Sequence, residues 1–428
     1  MQIQKRIDVL IVFEHITREL ETCLSLKLEL ERVNLSCEIV PLHYNKYETS
    51  LRFQPRLVIL PFLNSQNDYT LARIRDIYGD SVIGLNLHHE QLYNEGTKKF
   101  MLPKDDYSRN VYHLSWTEKF ALDLKESGVE SDKINILRNP RFDSVWLESS
   151  VIDSLNTDDF EEVIFFPTTF AWAFVPEDYF LSLGNIEKET FYRMRAITDT
   201  TAREYFKAIL FFAKKYPKKL FMVRPHPYEN IEYFRQKFFE YSQVSSLPDN
   251  IRIERKGNVY DWIKVSAVII GWCTTTNIEA AMSKKCSIIY HPVNYPEDMN
   301  LSFFEDFEIV KDLHHLEEII SGNKRTNISQ ETLNKFSQQY GFPQHPVCPN
   351  IAKWVREILD THHCESSINK YAFIVNFINF IIRDIPKKFL VGTKTIHLIN
   401  KNYAGLYEDC ISYKKIESHF GEFKRKNA

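Results

Sequence analysis

Two stretches carry side chains that bind phosphate well, and each closes an apolar run. In 221-FMVRPHPYEN-230, Arg224 and His226 flank a proline. Arginine offers a planar donor fork that matches phosphate oxygens, and histidine can donate a hydrogen bond and titrates near neutrality. The two prolines fix φ and remove donors, so the segment is stiff. In 267-AVIIGWCTTTNIEAAMSKKC-286, Thr274, Thr275 and Thr276 lead into a good helix former. The free N–H groups and positive dipole end of a helix start favour an anion there. Thr276 with Glu279 three residues on also reads as a capping box, a role that needs only one threonine. Glu279 could instead accept from a ribose hydroxyl.

Three further strand-end motifs have polar groups of use. In 83-IGLNLHHEQLYNEG-96 the crowd is His88, His89, Glu90 and Glu95. Glu90, or His89, could take the proton of a hydroxyl nucleophile; a solvated loop is the plainer alternative. In 136-ILRNPRFDS-144, Arg138 or Arg141 can line a ligand site, and a structural loop fits equally well. In 163-VIFFPTTFAW-172, Thr168 and Thr169 could touch the same ligand as the first two motifs.

The elements that position these residues are short apolar runs alternating with helical stretches. Strands are expected over 7–13, 36–40, 57–61, 82–87, 111–116 and 134–137, then over 163–167, 219–225, 251–253, 266–271 and 287–290. Helices fit 17–33, 68–78, 199–215, 229–241, 277–285 and 350–361. This alternation predicts α/β architecture: two doubly wound, Rossmann-like domains facing a central cleft, with ligands at the carboxyl ends of the strands. Residues 1–150 form the first domain and 160–362 the second, joined by a polar stretch, and 363–428 form a basic, aromatic tail. From Ile368 the tail holds eleven Lys/Arg against five Asp/Glu, and Asn369, Asn376 and Asn379 share one helical face. A short aromatic helix flanked by lysines suits a membrane surface; packing on the body or on a partner is the alternative.

Composition excludes several classes. The 428-residue chain has a net charge of −3, which argues against a general nucleic-acid partner. Seven scattered cysteines show no CxxC spacing, so reduced thiols and a cytoplasmic location are expected. The opening MQIQKRIDVLIVFEH has no signal-peptide pattern. GxGxxG, GxxxxGK[ST], GxSxG and HExxH are all absent. No cofactor and no metal site are expected.

Four motifs in order resemble the bacterial surface carbohydrate biosynthesis family, a set of GT-B glycosyltransferase-like proteins of capsule and O-antigen synthesis: NPRFD (139–143), Thr-Thr-Phe (168–170), RPHP (224–227) and CTTTNIEAA (273–281). RPHP and the threonine cluster are also similar to motifs of CMP-sugar transferases for Kdo and sialic acid, where the histidine and the Ser/Thr pair hold the nucleotide phosphate. The resemblance implies a GT-B fold with the acceptor on the first domain and the nucleotide donor on the second. It implies transfer of a sugar from a nucleotide-sugar donor, CMP-linked by preference, to a glycan or lipid-linked acceptor, without metal. His226, Thr274 and Thr275 would hold the donor phosphate. The enzyme would be cytoplasmic, or peripheral on the inner membrane face. CDP-polyol phosphotransferases of teichoic acid synthesis share the layout. A sugar-nucleotide 2-epimerase and a non-catalytic scaffold of polysaccharide assembly are the other rivals. The chain departs from the pattern where it has His-His-Glu-Gln for an acidic motif, and Arg138 and Asn277 where glycines are expected.

Overall fold

A computed structural model of the chain describes residues 4–42, 46–66, 70–91, 98, 101–147, 156–177, 188–226, 229–255, 257–272, 274–294, 304–362, 367–390 and 411–427. Glu95, Pro227, Cys273 and the tail positions 391–410 lie outside them.

Twelve parallel strands form two six-stranded sheets. The first holds β1 (Lys5–Phe13), β2 (Cys37–Pro41), β3 (Phe53–Leu60), β4 (Ile83–Asn86), β5 (Tyr112–Ser115) and β6 (Ile134–Ile136), in the order β2-β1-β3-β4-β5-β6. The second holds β7 (Glu162–Pro167), β8 (Lys219–Arg224), β9 (Ile251–Ile253), β10 (Ser266–Gly271), β11 (Cys286–Tyr290) and β12 (Glu308–Val310), in the order β12-β11-β10-β7-β8-β9. Every expected strand is present, and β12 adds one that the pattern did not signal. The fold is of the α/β class expected, with a parallel, helix-covered sheet in each of two units. The central strands are near-continuous Val/Ile/Leu/Phe runs buried on both faces, as parallel sheets between helices require.

In the second unit, counting strands from β7, the order read from its far edge is 3-2-1-4-5-6, the arrangement of dinucleotide-binding sheets. Its topological switch point lies between β7 and β10, which pair with Ile269 opposite Phe165. In the first unit the direction of winding reverses between β1 and β3. At both switch points the crevice opens at the carboxyl ends of the strands.

One boundary differs from expectation. The described residues beyond 335 belong to the compact unit of the first sheet, rather than to the second domain and a separate tail. The helix Cys348–Thr361 explains this. Its buried Ile351, Val355, Ile358 and Leu359 join the core formed by Val9, Ile11, Leu20 and Leu24. Asp143 of the NPRFD motif fastens its start, accepting the backbone N–H groups of Val347 (2.7 Å) and Cys348 (2.8 Å). An amphipathic helix shows in sequence; the sheet it covers does not.

Candidate functional site

Both sheets gather polar groups at their switch points. In the second unit, register sets the geometry. Pro167 lies opposite Arg224 at the ends of β7 and β8, and the Thr168 N–H donates to the Arg224 carbonyl (3.0 Å). The ring of Phe170, after β7, stacks at 5.6 Å on Trp272, after β10. The expected Thr168–Thr169, Arg224–His226 and Thr274–Thr276 segments therefore follow three neighbouring strands.

Their side chains are not equally available. The Thr168 hydroxyl is enclosed, 3.3 Å from the Arg224 carbonyl oxygen and 3.4 Å from Glu229 Oε2. Thr169 is half-buried, and its Oγ1 has no partner among the described residues. Arg224 is buried as the last residue of β8 and donates to the Gly257 carbonyl (2.9 Å), so it sits under the loop rather than on it. His226 is half-buried at the loop surface.

The threonine cluster differs from the expected capping box. Thr276 is the first residue of the helix Thr276–Met282, and its N-cap, Thr275, makes no side-chain capping bond. Thr274 Oγ1 instead accepts the Thr276 N–H (3.3 Å) and lies 3.2 Å from Thr276 Oγ1. Glu279 is buried one turn in. Asn277, where a glycine was expected, anchors the helix by donating to Ser287 Oγ (2.9 Å) and the Ile288 carbonyl (2.8 Å). The glycine has moved to Gly271, where a Cβ would lie 2.0 Å from Asn277 Oδ1.

Two residues were missed. Glu229, fully buried, accepts the His226 N–H at 2.8 Å and so shapes the loop. Burial pushes its carboxyl up to about 7, against bonds from the His226 and Phe170 N–H groups and the charge of Arg255, which lower it. Arg255, also buried, donates to the His226 carbonyl (3.1 Å). Two buried guanidiniums and one carboxyl thus lie beneath His226, a net positive base. The only sequence signals were a glutamate three residues after the histidine and an arginine following β9.

In the first unit, His88 is structural. It is buried at φ 46°, with its Nε2 2.8 Å from His113 Nδ1. Burial and the His113 ring hold it neutral, its pKa well below the usual imidazole value, and burial brings His113 to about 4. Glu90 is engaged by Arg18 (2.6 Å). His89 places Nδ1 2.9 Å from the Pro61 carbonyl oxygen, which can only accept. In the tautomer that donates Nδ1–H to this carbonyl, Nε2 is the acceptor nitrogen. Nε2 stands 3.8 Å from Glu14 Oε2. Glu14, Glu19 and His89 offer ligand atoms within 4.8 Å of one another and are the group among the described residues able to hold a metal ion. Glu19 is buried, its Oε1 has no partner among the described residues, and it shares a small cavity of about 30 Å³ with His89, Asn139 and Arg141. Arg141 thus reaches the switch point. Arg138 holds φ +76° with Nη1 3.5 Å from the Trp116 carbonyl, which explains the glycine expected there.

No protein-family model matches the sequence, and no curated protein sequence matches it significantly. Among solved structures, the chain is similar to a UDP-GlcNAc 2-epimerase from Neisseria meningitidis bound to UDP-GlcNAc (13% identity, 83% of this chain and 99% of that one, TM-score 0.47). It is also similar to S. aureus MnaA with UDP (12%, 83% and 97%, 0.49). A third is the wall teichoic acid polymerase TagF soaked with CDPG (10%, 82% and 88%, 0.48). At such identities and scores the likeness assigns no activity to this chain.

Proposed function

We propose that the protein is a glycosyltransferase that binds a nucleotide-sugar donor at the β7/β10 switch point of its second unit and passes the sugar to a surface-glycan acceptor. The observation that carries this reading is the convergence of three strand-end segments over a positively charged base. His226, the Thr169 hydroxyl and Thr274–Thr276 stand at these strand ends and would meet the donor phosphates. Arg224 and Arg255 act through their field, being tied to carbonyls, and favour the negative charge that develops on the leaving phosphate. A CMP-linked donor is the preferred class, from the RPHP and threonine motifs. On the acceptor side His89 is better poised than Glu90. With Nδ1–H donated to the Pro61 carbonyl its Nε2 is the acceptor nitrogen, while Arg18 occupies Glu90. Glu279 is assigned to the donor ribose, and Arg138 and Arg141 to the acceptor side.

Calorimetric titration with CMP, CDP, UDP and GDP, with and without Mg²⁺ or Mn²⁺, tests the donor half. CMP or CDP should bind, and His226→Ala and Thr275→Ala should each weaken binding at least tenfold. UDP binding would replace the CMP preference; failure of every nucleotide would overturn the reading. Isomerisation of the donor sugar without an acceptor would make the protein an epimerase, and transfer of a phosphopolyol would make it a phosphotransferase.

A further inference from the structure

Residues 370–390 are one helical run: the helix Lys370–Asn379, a π-helical turn Phe380–Asp384 and the helix Ile385–Leu390. It spans about 30 Å. It carries apolar groups on both sides. The side against the protein holds Ala372, Phe373 and Phe380 together with Asn376 and Asp384, the last two 7% and 0% exposed. Asp384 Oδ2 accepts the N–H groups of Tyr47 (2.8 Å) and Glu48 (3.0 Å) and so caps the neighbouring helix Lys46–Arg52. The outward side carries Tyr371 (78% exposed), Ile374 (55%), Ile378 (49%), Ile381 (47%), Ile382 (65%) and Phe389 (78%). Spacings of three and four make Tyr371 to Ile382 a continuous stripe, with Phe389 two turns further on, whereas a surface helix ordinarily keeps its apolar residues on the inward side. Single exposed apolar residues are common, but a contiguous patch marks an interaction surface.

The charges decide the occupant. Between 370 and 390 the basic residues are Lys370, Arg383, Lys387 and Lys388, and the single acid, Asp384, is buried. Among the described side chains Lys388 pairs with Glu48 and Arg383 donates to Tyr47 Oη (3.4 Å), so Lys370 and Arg383 give the rim its positive excess, with an aromatic residue at either end. No described helix is long and apolar enough to cross a membrane. We infer that this face docks on an anionic lipid surface. The helix lies in the interface plane, its isoleucines immersed and Lys370 and Arg383 at the headgroups. The inference is independent of the nucleotide reading, because it rests on a different face and is measured without nucleotide.

Flotation of the full chain with phosphatidylcholine vesicles, with and without phosphatidylglycerol, is the test. The protein should float with the anionic vesicles, less so at high salt. The double variant Ile378→Glu/Ile382→Glu, on exposed positions that leave the core intact, should lower partitioning on the order of a hundredfold. Absence of flotation, equal flotation with neutral vesicles, or flotation unchanged in the variant would overturn the proposal. A dimer in sedimentation velocity that the variant dissociates, with no vesicle binding, would assign the stripe to a second copy and also overturn it.

Discussion

Glu229→Gln should flatten a pH dependence of stability. In the folded protein the Glu229 carboxyl titrates at about 7; its unperturbed value is 4.5. A raised carboxyl keeps its proton in the folded state while the unfolded chain has already lost it. Between pH 4.5 and 7 the folded state therefore binds more protons, and stability falls as pH rises across that window. Below it the group contributes fully, and above it the loss is complete. The size of the shift corresponds to about 3 kcal/mol across the window. Urea unfolding of the wild type and the variant at pH 5, 6, 7 and 8, followed through the buried Trp262 and Trp272, isolates this group, because other titrations cancel in the difference. The wild-type curve should drop relative to the variant between pH 5 and 7.5 and run parallel above. Parallel curves throughout would refute the reasoning, meaning that the His226 and Phe170 N–H groups hold the carboxylate ionised. A linked expectation is that nucleotide affinity weakens over the same interval, since an ionised Glu229 opposes a phosphate at His226.

Gly271→Ala places a methyl 2.0 Å from Asn277 Oδ1 and should destabilise by about 1–3 kcal/mol. Paired with Asn277→Ala, the total should fall short of the sum of the single effects by at least about 1 kcal/mol in urea midpoints. Arg138→Gly relieves a left-handed backbone and should raise the unfolding free energy by up to about 1 kcal/mol; a loss instead would show that the guanidinium matters more than the strain. Asp143→Ala leaves the Val347 and Cys348 N–H groups unmet and should cost about 1–3 kcal/mol, with faster amide exchange in the helix Cys348–Thr361.

Strands were legible because parallel strands buried on both faces read as unbroken apolar runs, and the strand-end motifs followed from them. β12 escaped because its residues, Glu308, Ile309 and Val310, alternate on a sheet edge. The role of Glu229 was illegible, since burial alone makes that carboxyl unusual and no local pattern encodes burial. Glu14 and Glu19 were passed over because their neighbour His89 is some seventy residues away in sequence and meets them only through the β1, β3 and β4 order. The departures at Arg138 and Asn277 were legible as departures. Only the structure shows that one is strained and that the other is accommodated at Gly271. The shared face of Asn369, Asn376 and Asn379 was visible, but which side of that helix meets solvent was not.

The closing of the first core by Cys348–Thr361 has a consequence for synthesis. Residues 1–150 leave the ribosome without the helix that covers Leu20 and Leu24 and without the N–H groups that Asp143 awaits. Roughly two hundred residues must be translated first, a delay on the order of 10–40 s at about 5–20 residues per second. All six strands of the second sheet, β7 to β12, are translated during that interval. The first core is thus complete only once residue 361 has been made.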